Sequence, residues 1–167
     1  MTVFYRPLLE DLWFRRQMLS DAATMSYNRA WGGTIPIPPE RWPAWYARWV
    51  DPGQPGRFYR YLADGEGRFV GEAAYHHDPD RGIFLADVIV YAPLRGQGHG
   101  SAGLDLLCAQ ARADGIGELY DDLAVDYPAR RLFLKMGFEE LFRTDTVVML
   151  KKVLLQDSCQ KRTQVVE

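Results

Sequence analysis

Residues 95–103, Arg-Gly-Gln-Gly-His-Gly-Ser-Ala-Gly, place four glycines in nine positions. Before them runs the apolar stretch IFLADVIVYA (83–92), which reads as a strand. After them Leu104, Leu107, Cys108 and Ala111 recur on one stripe of a helix, which DGIG (114–117) closes. A strand-to-helix turn that needed only unusual dihedrals would be served by one glycine. Gly96, Gly98, Gly100 and Gly103 instead clear side chains from the turn, so a ligand can approach the backbone. At a helix N-terminus the free N–H groups and the helix dipole favour an anion, most often phosphate. The stretch predicts a phosphate-binding turn.

The elements around it set the fold class. Upstream, RFYRYLA (57–63) and RFVGEAAYH (68–76) flank DGEG, a hairpin signal. HHDPDRG (76–82) then turns the chain into 83–92, giving a three-stranded antiparallel meander. Residues 3–8 read as a strand, 9–19 as a helix and the Gly/Pro-rich 20–40 as a loop. Pro39 suits a helix start, and Trp42, Trp45, Tyr46 and Trp49 follow at helical spacing. Downstream, ELYDDLAV (118–125) reads as a strand. A short helix follows it, with Ala129, Leu132, Phe133 and Met136 inward and Gly137 at its end. TDTVVMLKKVLL (144–155) adds a final strand or two. The order describes an α+β (mixed α/β) domain over residues 1–155, with a polar tail over 156–167.

Composition narrows the function. The chain has 167 residues, 47% hydrophobic and 25% charged, as in an ordinary globular domain. A formal charge of −2 with scattered basic residues argues against nucleic acid as a partner. No run reaches the ~20 apolar residues of a membrane helix, so no membrane partner is expected. The start MTVFYRPLLEDLW lacks the pattern of a signal peptide, so a cytoplasmic location is expected. The acid pairs Asp121–Asp122 and Glu139–Glu140 read first as solvated surface, with attraction of a cationic small molecule as the other reading. Cys108 falls on a helix stripe and Cys159 in the tail; neither suggests a disulfide or a metal site.

Two parsings of the glycine turn compete. Gly98 to Gly103 match G-x-G-x-x-G, with Glu118 twenty residues beyond Gly98 as a ribose-binding acid. YAPLRGQ separates that motif from Val90, however, and antiparallel strands precede it, both against a nicotinamide-binding fold. The alternative, Arg95-x-x-Gly98-x-Gly100 between DVIVYAPL and SAGLDLL, resembles the acyl-CoA signature of the GNAT acetyltransferases. AVDYPARRLFLKMGFEE (124–140) is similar to that family's N-x-x-A-x-x-L-Y-x-x-x-G-F segment. Asp126, Ala129, Leu132, Phe133, Gly137 and Phe138 fall in its register.

The resemblance implies a mostly antiparallel sheet of six or seven strands, about four flanking helices, and a splayed parallel pair formed by 83–92 and 118–125. Acetyl-CoA would be the cosubstrate, with no metal. Its pantetheine arm would pair with the backbone at Val88 and Val90. Its pyrophosphate would lie on Gly96, Gly98, Gly100 and Ser101, with Arg95 either adding charge or facing solvent. Asp126 and Phe133 would line the same site. The implied reaction is direct transfer to an amine, of a small molecule first and of a peptide or protein as the other possibility. A homodimer is an expectation of the family.

Catalytic groups depart from the pattern. Phe133 stands where the family carries a proton-donating tyrosine, which moves that role to Tyr127, to water, or to nothing. Phe84 stands where some members carry a glutamate base. Asp87 is the acid present in that strand, either a base with a raised pKa or an acid paired elsewhere. Alternation puts it with Ile83, Leu85 and Ile89, opposite Val88 and Val90. Glu72 is a weaker candidate next door, and His76 and His77 read as turn residues. Tyr27, Asn28 and Trp31 are candidate acceptor contacts, with Trp42 and Trp45 as further aromatic candidates. Trp45 and Trp49 are assigned first to the core. A non-catalytic acyl-CoA sensor of the same fold is the alternative function.

Overall fold

The computed structural model describes residues 1–154; the expected tail and Cys159 lie outside them. The strands are β1 (Val3–Tyr5), β2 (Arg57–Ala63), β3 (Phe69–Asp78), β4 (Ile83–Val90), β5 (Glu118–Ala124), β6 (Glu139–Arg143) and β7 (Val147–Val153). The helices are α1 (Leu12–Ser20), α2 (Trp42–Trp49), α3 (His99–Ala113) and α4 (Arg130–Lys135). All the strands join one seven-stranded sheet in the order β1-β2-β3-β4-β5-β7-β6. Every neighbouring pair is antiparallel except β4–β5. That pair is parallel because α3 carries the chain back to the same end of the sheet between them. The expected α+β fold is the one observed.

Short polar side chains set the turns. Asp64 Oδ1 accepts from the N–H groups of Glu66 and Arg68 at 2.9 and 3.0 Å and closes the β2–β3 hairpin. Asp78 does the same for Asp80 and Arg81 between β3 and β4. Strand β1 ends at Tyr5, earlier than expected, and Pro7, which has no N–H for a ladder, follows it closely. The stretch expected to be a loop contains helical turns over Thr24–Trp31 and Pro39–Arg41. Asp21 starts the first of these, accepting from Thr24 N at 2.9 Å.

Each face of the sheet carries a core. On one face Leu62, Ala73, Leu119, Val148 and Leu150 pack with Leu104, Leu107, Cys108 and Ala111 of α3. On the other, Phe14 and Met18 of α1 pack with Tyr59, Tyr61 and Ile89, and Trp45, Tyr46 and Trp49 of α2 close over them. The stripe on α2 is therefore a core face, as assigned. Strands β3 and β4 pair without a register shift from Gly71↔Val90 to Asp78↔Ile83, so no bulge disturbs the alternation around Asp87. Among the described residues no helix is long and apolar enough to cross a membrane.

Gly103 lets α3 lie close to the sheet. A Cβ there would stand 2.6 Å from Leu62 Cδ1 and 3.3 Å from Val88 Cγ1. Gly103→Val is expected to lower stability by about 1–3 kcal/mol through overpacking. Urea denaturation checks this, with a lower midpoint and an unchanged slope as the expected result.

Candidate active site

Strands β4 and β5 share a single register pair, Leu85↔Tyr120, and part beyond it. Their diverging ends wall a cleft of about 1250 Å³ that runs from the glycine turn to the Thr24–Trp31 segment. Tyr91 N donates to Val70 O of β3 at 2.9 Å. By strand alternation, the N–H groups of Val88 and Val90 point the other way, into the cleft. Both residues line it, as does Phe133, whose buried ring packs edge-on against Phe138 at 5.1 Å.

At one end of the cleft the backbone is bare. Gly96 and Gly98 hold φ of 77° and 85°, the left-handed region that favours glycine, and nothing lies within 4 Å of where their Cβ atoms would be. Helix α3 begins at His99, so its first-turn N–H groups lack intrahelical acceptors beside the cleft residues Gly100 and Ser101. This cradle fits a phosphate, which needs close backbone approach and donors rather than side chains. Arg95 does not aim its donors into the cradle. Its Nε donates to Val90 O at 3.1 Å, Nη1 to Ala23 O at 3.2 Å and Nη2 to Thr24 O at 2.8 Å. Asp126, Tyr127 and Pro128 also line the cleft.

The other end carries carboxyl groups. Asp87 sits on β4 and is accessible from the cleft yet enclosed by surrounding protein. Burial pushes its pKa up to about 7; Glu72 and Asp122 add to the rise and Arg15 opposes it. Asp121 lies across the gap on β5, where burial and the charges of Asp87 and Asp122 hold its pKa well above the usual range. It lines the cleft, which corrects its reading as open surface. Tyr127 has a raised pKa, chiefly from burial, so it keeps its proton at neutral pH. Its ring centroid lies 6.2 Å from that of Tyr27.

Glu72 is placed apart from these groups. It is 2% exposed and has no surface in the cleft. Arg15 Nη1 donates to both its oxygens, at 2.6 and 2.7 Å, and Tyr59 Oη donates to Oε2. The Arg15 guanidinium lies 4.5 Å from the Trp45 ring centroid. Glu72 therefore acts on Asp87 by its charge, without facing a substrate.

Tyr27, Asn28 and Trp31 roof the cleft at this end, together with Arg29. The Asn28 amide is engaged with Gly33 O at 2.7 Å, whereas Trp31 is half exposed. Trp42 is not in the lining; its Nε1 donates to Ile37 O at 3.1 Å. His76, read from sequence as a turn residue, lies near the end of β3 and lines the cleft, its pKa lowered chiefly by burial. Among the described residues no cluster of three His, Cys, Asp or Glu side chains could hold a metal.

A model of the acetyltransferase (GNAT) family matches residues 17–138, most of the chain, and the chain belongs to that family. No curated protein matches the sequence. Solved structures agree in fold at low identity. The N-acetyltransferase from Staphylococcus aureus Mu50 is 18% identical with a TM-score of 0.73, over 93% of this chain and 99% of that one. Spermidine N-acetyltransferase from Vibrio cholerae, in complex with CoA and spermine, is 14% identical with a TM-score of 0.77, over 92% and 95%. The phosphinothricin acetyltransferase from Sinorhizobium meliloti, in complex with AcCoA, is 15% identical with a TM-score of 0.72, over 91% and 88%.

The raised pKa of Asp87 has a measurable sign. The folded chain holds that proton more tightly than the unfolded chain, whose carboxyl titrates near 3.8. Folding stability therefore falls as pH rises from about 4 to about 7. Asp87→Asn is expected to be more stable than wild type at pH 8, with the gain shrinking toward pH 4. Urea denaturation of both proteins across that range checks it.

Proposed function

We propose that the protein is an acetyl-CoA-dependent N-acetyltransferase that passes the acetyl group directly to the amine of a small molecule. The observation that carries this reading is the continuity of one cleft. A backbone cradle suited to pyrophosphate and a group suited to accept a proton face the same gap between β4 and β5.

The residues divide the work as follows. Gly96, Gly98, Gly100 and Ser101 receive the pyrophosphate, and the edge of β4 at Val88 and Val90 pairs with the pantetheine arm. Asp126 and Phe133 flank that arm. The N–H of Val90 stands where a thioester carbonyl would gain charge. Asp87, poised near neutrality, takes a proton from the ammonium of the acceptor. The freed nitrogen attacks the thioester carbon, the C–N bond forms and the C–S bond breaks. The departing thiolate takes its proton from Tyr127 or from water, and the second proton leaves the new amide nitrogen to restore that donor. Tyr27 and Trp31 close over the acceptor, which favours a small amine over a folded protein. The reading includes a cytoplasmic location and a homodimer, the latter open to sedimentation analysis.

Phe133 favours a second reading. With no hydroxyl at the position of the family's proton donor, the fold would also serve as a non-catalytic acyl-CoA sensor. Calorimetric titration with acetyl-CoA, followed by thiol release over a panel of amines, separates the two. Binding with CoA release is the expected result; binding with no release across the panel supports the sensor, and no binding overturns both. Asp87→Asn is expected to lower kcat about 10²- to 10⁴-fold while leaving acetyl-CoA affinity unchanged. Wild-type activity should rise with pH through about 7, because the base works deprotonated.

A further inference from the structure

Helical turns over Thr24–Trp31 form a strap across the acceptor end of the cleft, and that strap is fastened to the turn that carries the glycines. Arg95 makes two of the fastenings, through Ala23 O at 3.2 Å and Thr24 O at 2.8 Å. Thr24 makes a third, its Oγ1 accepting from Ala92 N at 3.0 Å while donating to Asp21 Oδ2 at 2.5 Å. Thr24 is fully buried. Arg95 also donates through Nε to Val90 O at 3.1 Å, at the end of the strand that walls the cleft. One guanidinium thus spans the end of β4, the start of the glycine turn and the root of the strap.

Beyond Trp31 the strap is next tied down at Ile35, whose N–H donates to Leu19 O at 2.8 Å. It leaves through Gly32 and Gly33, both at positive φ with open space around them, and Trp31 is 52% exposed. The hydrogen bonds that fasten its root run to residues 90–95 and to Asp21, while along the strap Met25 is buried and the Tyr27 ring lies beside Tyr127. Its cleft-facing residues, Ser26 to Trp31, follow that root within one or two turns.

We propose that Arg95 is a positioning residue that ties the acceptor strap to the cosubstrate turn, so that occupancy of the turn sets the placement of the strap. The signature arginine then contributes little to phosphate binding and much to how the acceptor end is assembled. A ligand that settles the backbone of residues 95–101 stiffens the platform on which Arg95 stands, and two of its charge-assisted bonds pass that order to Ala23 and Thr24. This inference rests on the acetyl-CoA reading above, but its first arm is measured without any ligand.

Hydrogen–deuterium exchange of wild type, Arg95→Gln and Thr24→Val, each with and without CoA, tests it, with CoA affinity measured by calorimetry on the same preparations. In ligand-free protein, amides of residues 24–33 are expected to exchange about tenfold faster or more in both variants than in wild type. In wild type, CoA should slow exchange in residues 95–103 and in the strap together. In Arg95→Gln it should still bind with closely similar affinity and still protect 95–103, while the strap no longer responds. Arg95→Lys, which reaches fewer carbonyls, should recover part of the response. An Arg95→Gln variant with about tenfold weaker CoA binding and an unchanged strap would overturn the proposal and make Arg95 a phosphate ligand. Failure of CoA to bind wild type would overturn the acetyl-CoA reading and the coupling with it, whereas the ligand-free comparison would still decide whether Arg95 anchors the strap.

Discussion

The parting of β4 from β5 is the constraint on which the rest of the structure depends. Two parallel strands that met along their whole length would bury their facing N–H and C=O groups in a ladder. Here they meet at Leu85 and Tyr120 and then separate, which leaves the main chain at Val88 and Val90 facing a gap. Unmet backbone groups are costly inside a protein unless water or a ligand reaches them. The gap is kept open by what surrounds it. Helix α3 fills the space behind β4, held close by Gly103, and β5 is secured on its other side by seven antiparallel pairs with β7. Each strand keeps a full ladder on its far edge while the edges that face the gap part.

Charge follows the same geometry. Asp87 and Asp121 project toward a gap that water reaches only through the cleft, so their protons are held more tightly than on an open surface. Glu72, one strand further in, takes Arg15 as a partner, with Trp45 and Tyr59 packed around the pair. Arg81 pairs with Asp122 at the rim. The acids thus sit in graded surroundings: paired and buried at Glu72, without an ion-pair partner among the described residues at Asp87 and Asp121, and paired near solvent at Asp122. Asp87, Asp121 and Asp122 all line the cavity.

What could be read from sequence was what local chemistry controls. The glycine turn, the β2–β3 hairpin, the stripe of α3 and the facing of Asp87 all depend on neighbours a few residues away, and each stands as expected. The strap did not show itself, because its order comes from Arg95, about seventy residues later, and not from helix propensity. Glu72 looked available for the same reason: its partner Arg15 lies 57 residues off, and nothing near either residue announces the pair. Asp121 was set aside as surface because its neighbour Asp122 is charged. The signal was there in its alternation with Leu119 and Leu123, both buried.

The free edge of β4 has a consequence for how such a chain changes over generations. Recognition through main-chain amides is blind to the side chains that carry it, as long as the strand keeps its path. Substitutions at Val88 or Val90 that keep a strand-forming residue would leave those donors in place. In the proposed function the acceptor end is different, since Tyr27, Trp31, Asp87 and Asp121 would act through their side chains. On that reading drift would be tolerated at one end of the cleft and would alter chemistry at the other. A fold held in common at 14–18% identity is what such a division permits: a shared scaffold whose sequence is free to wander while its acceptor pocket is rebuilt.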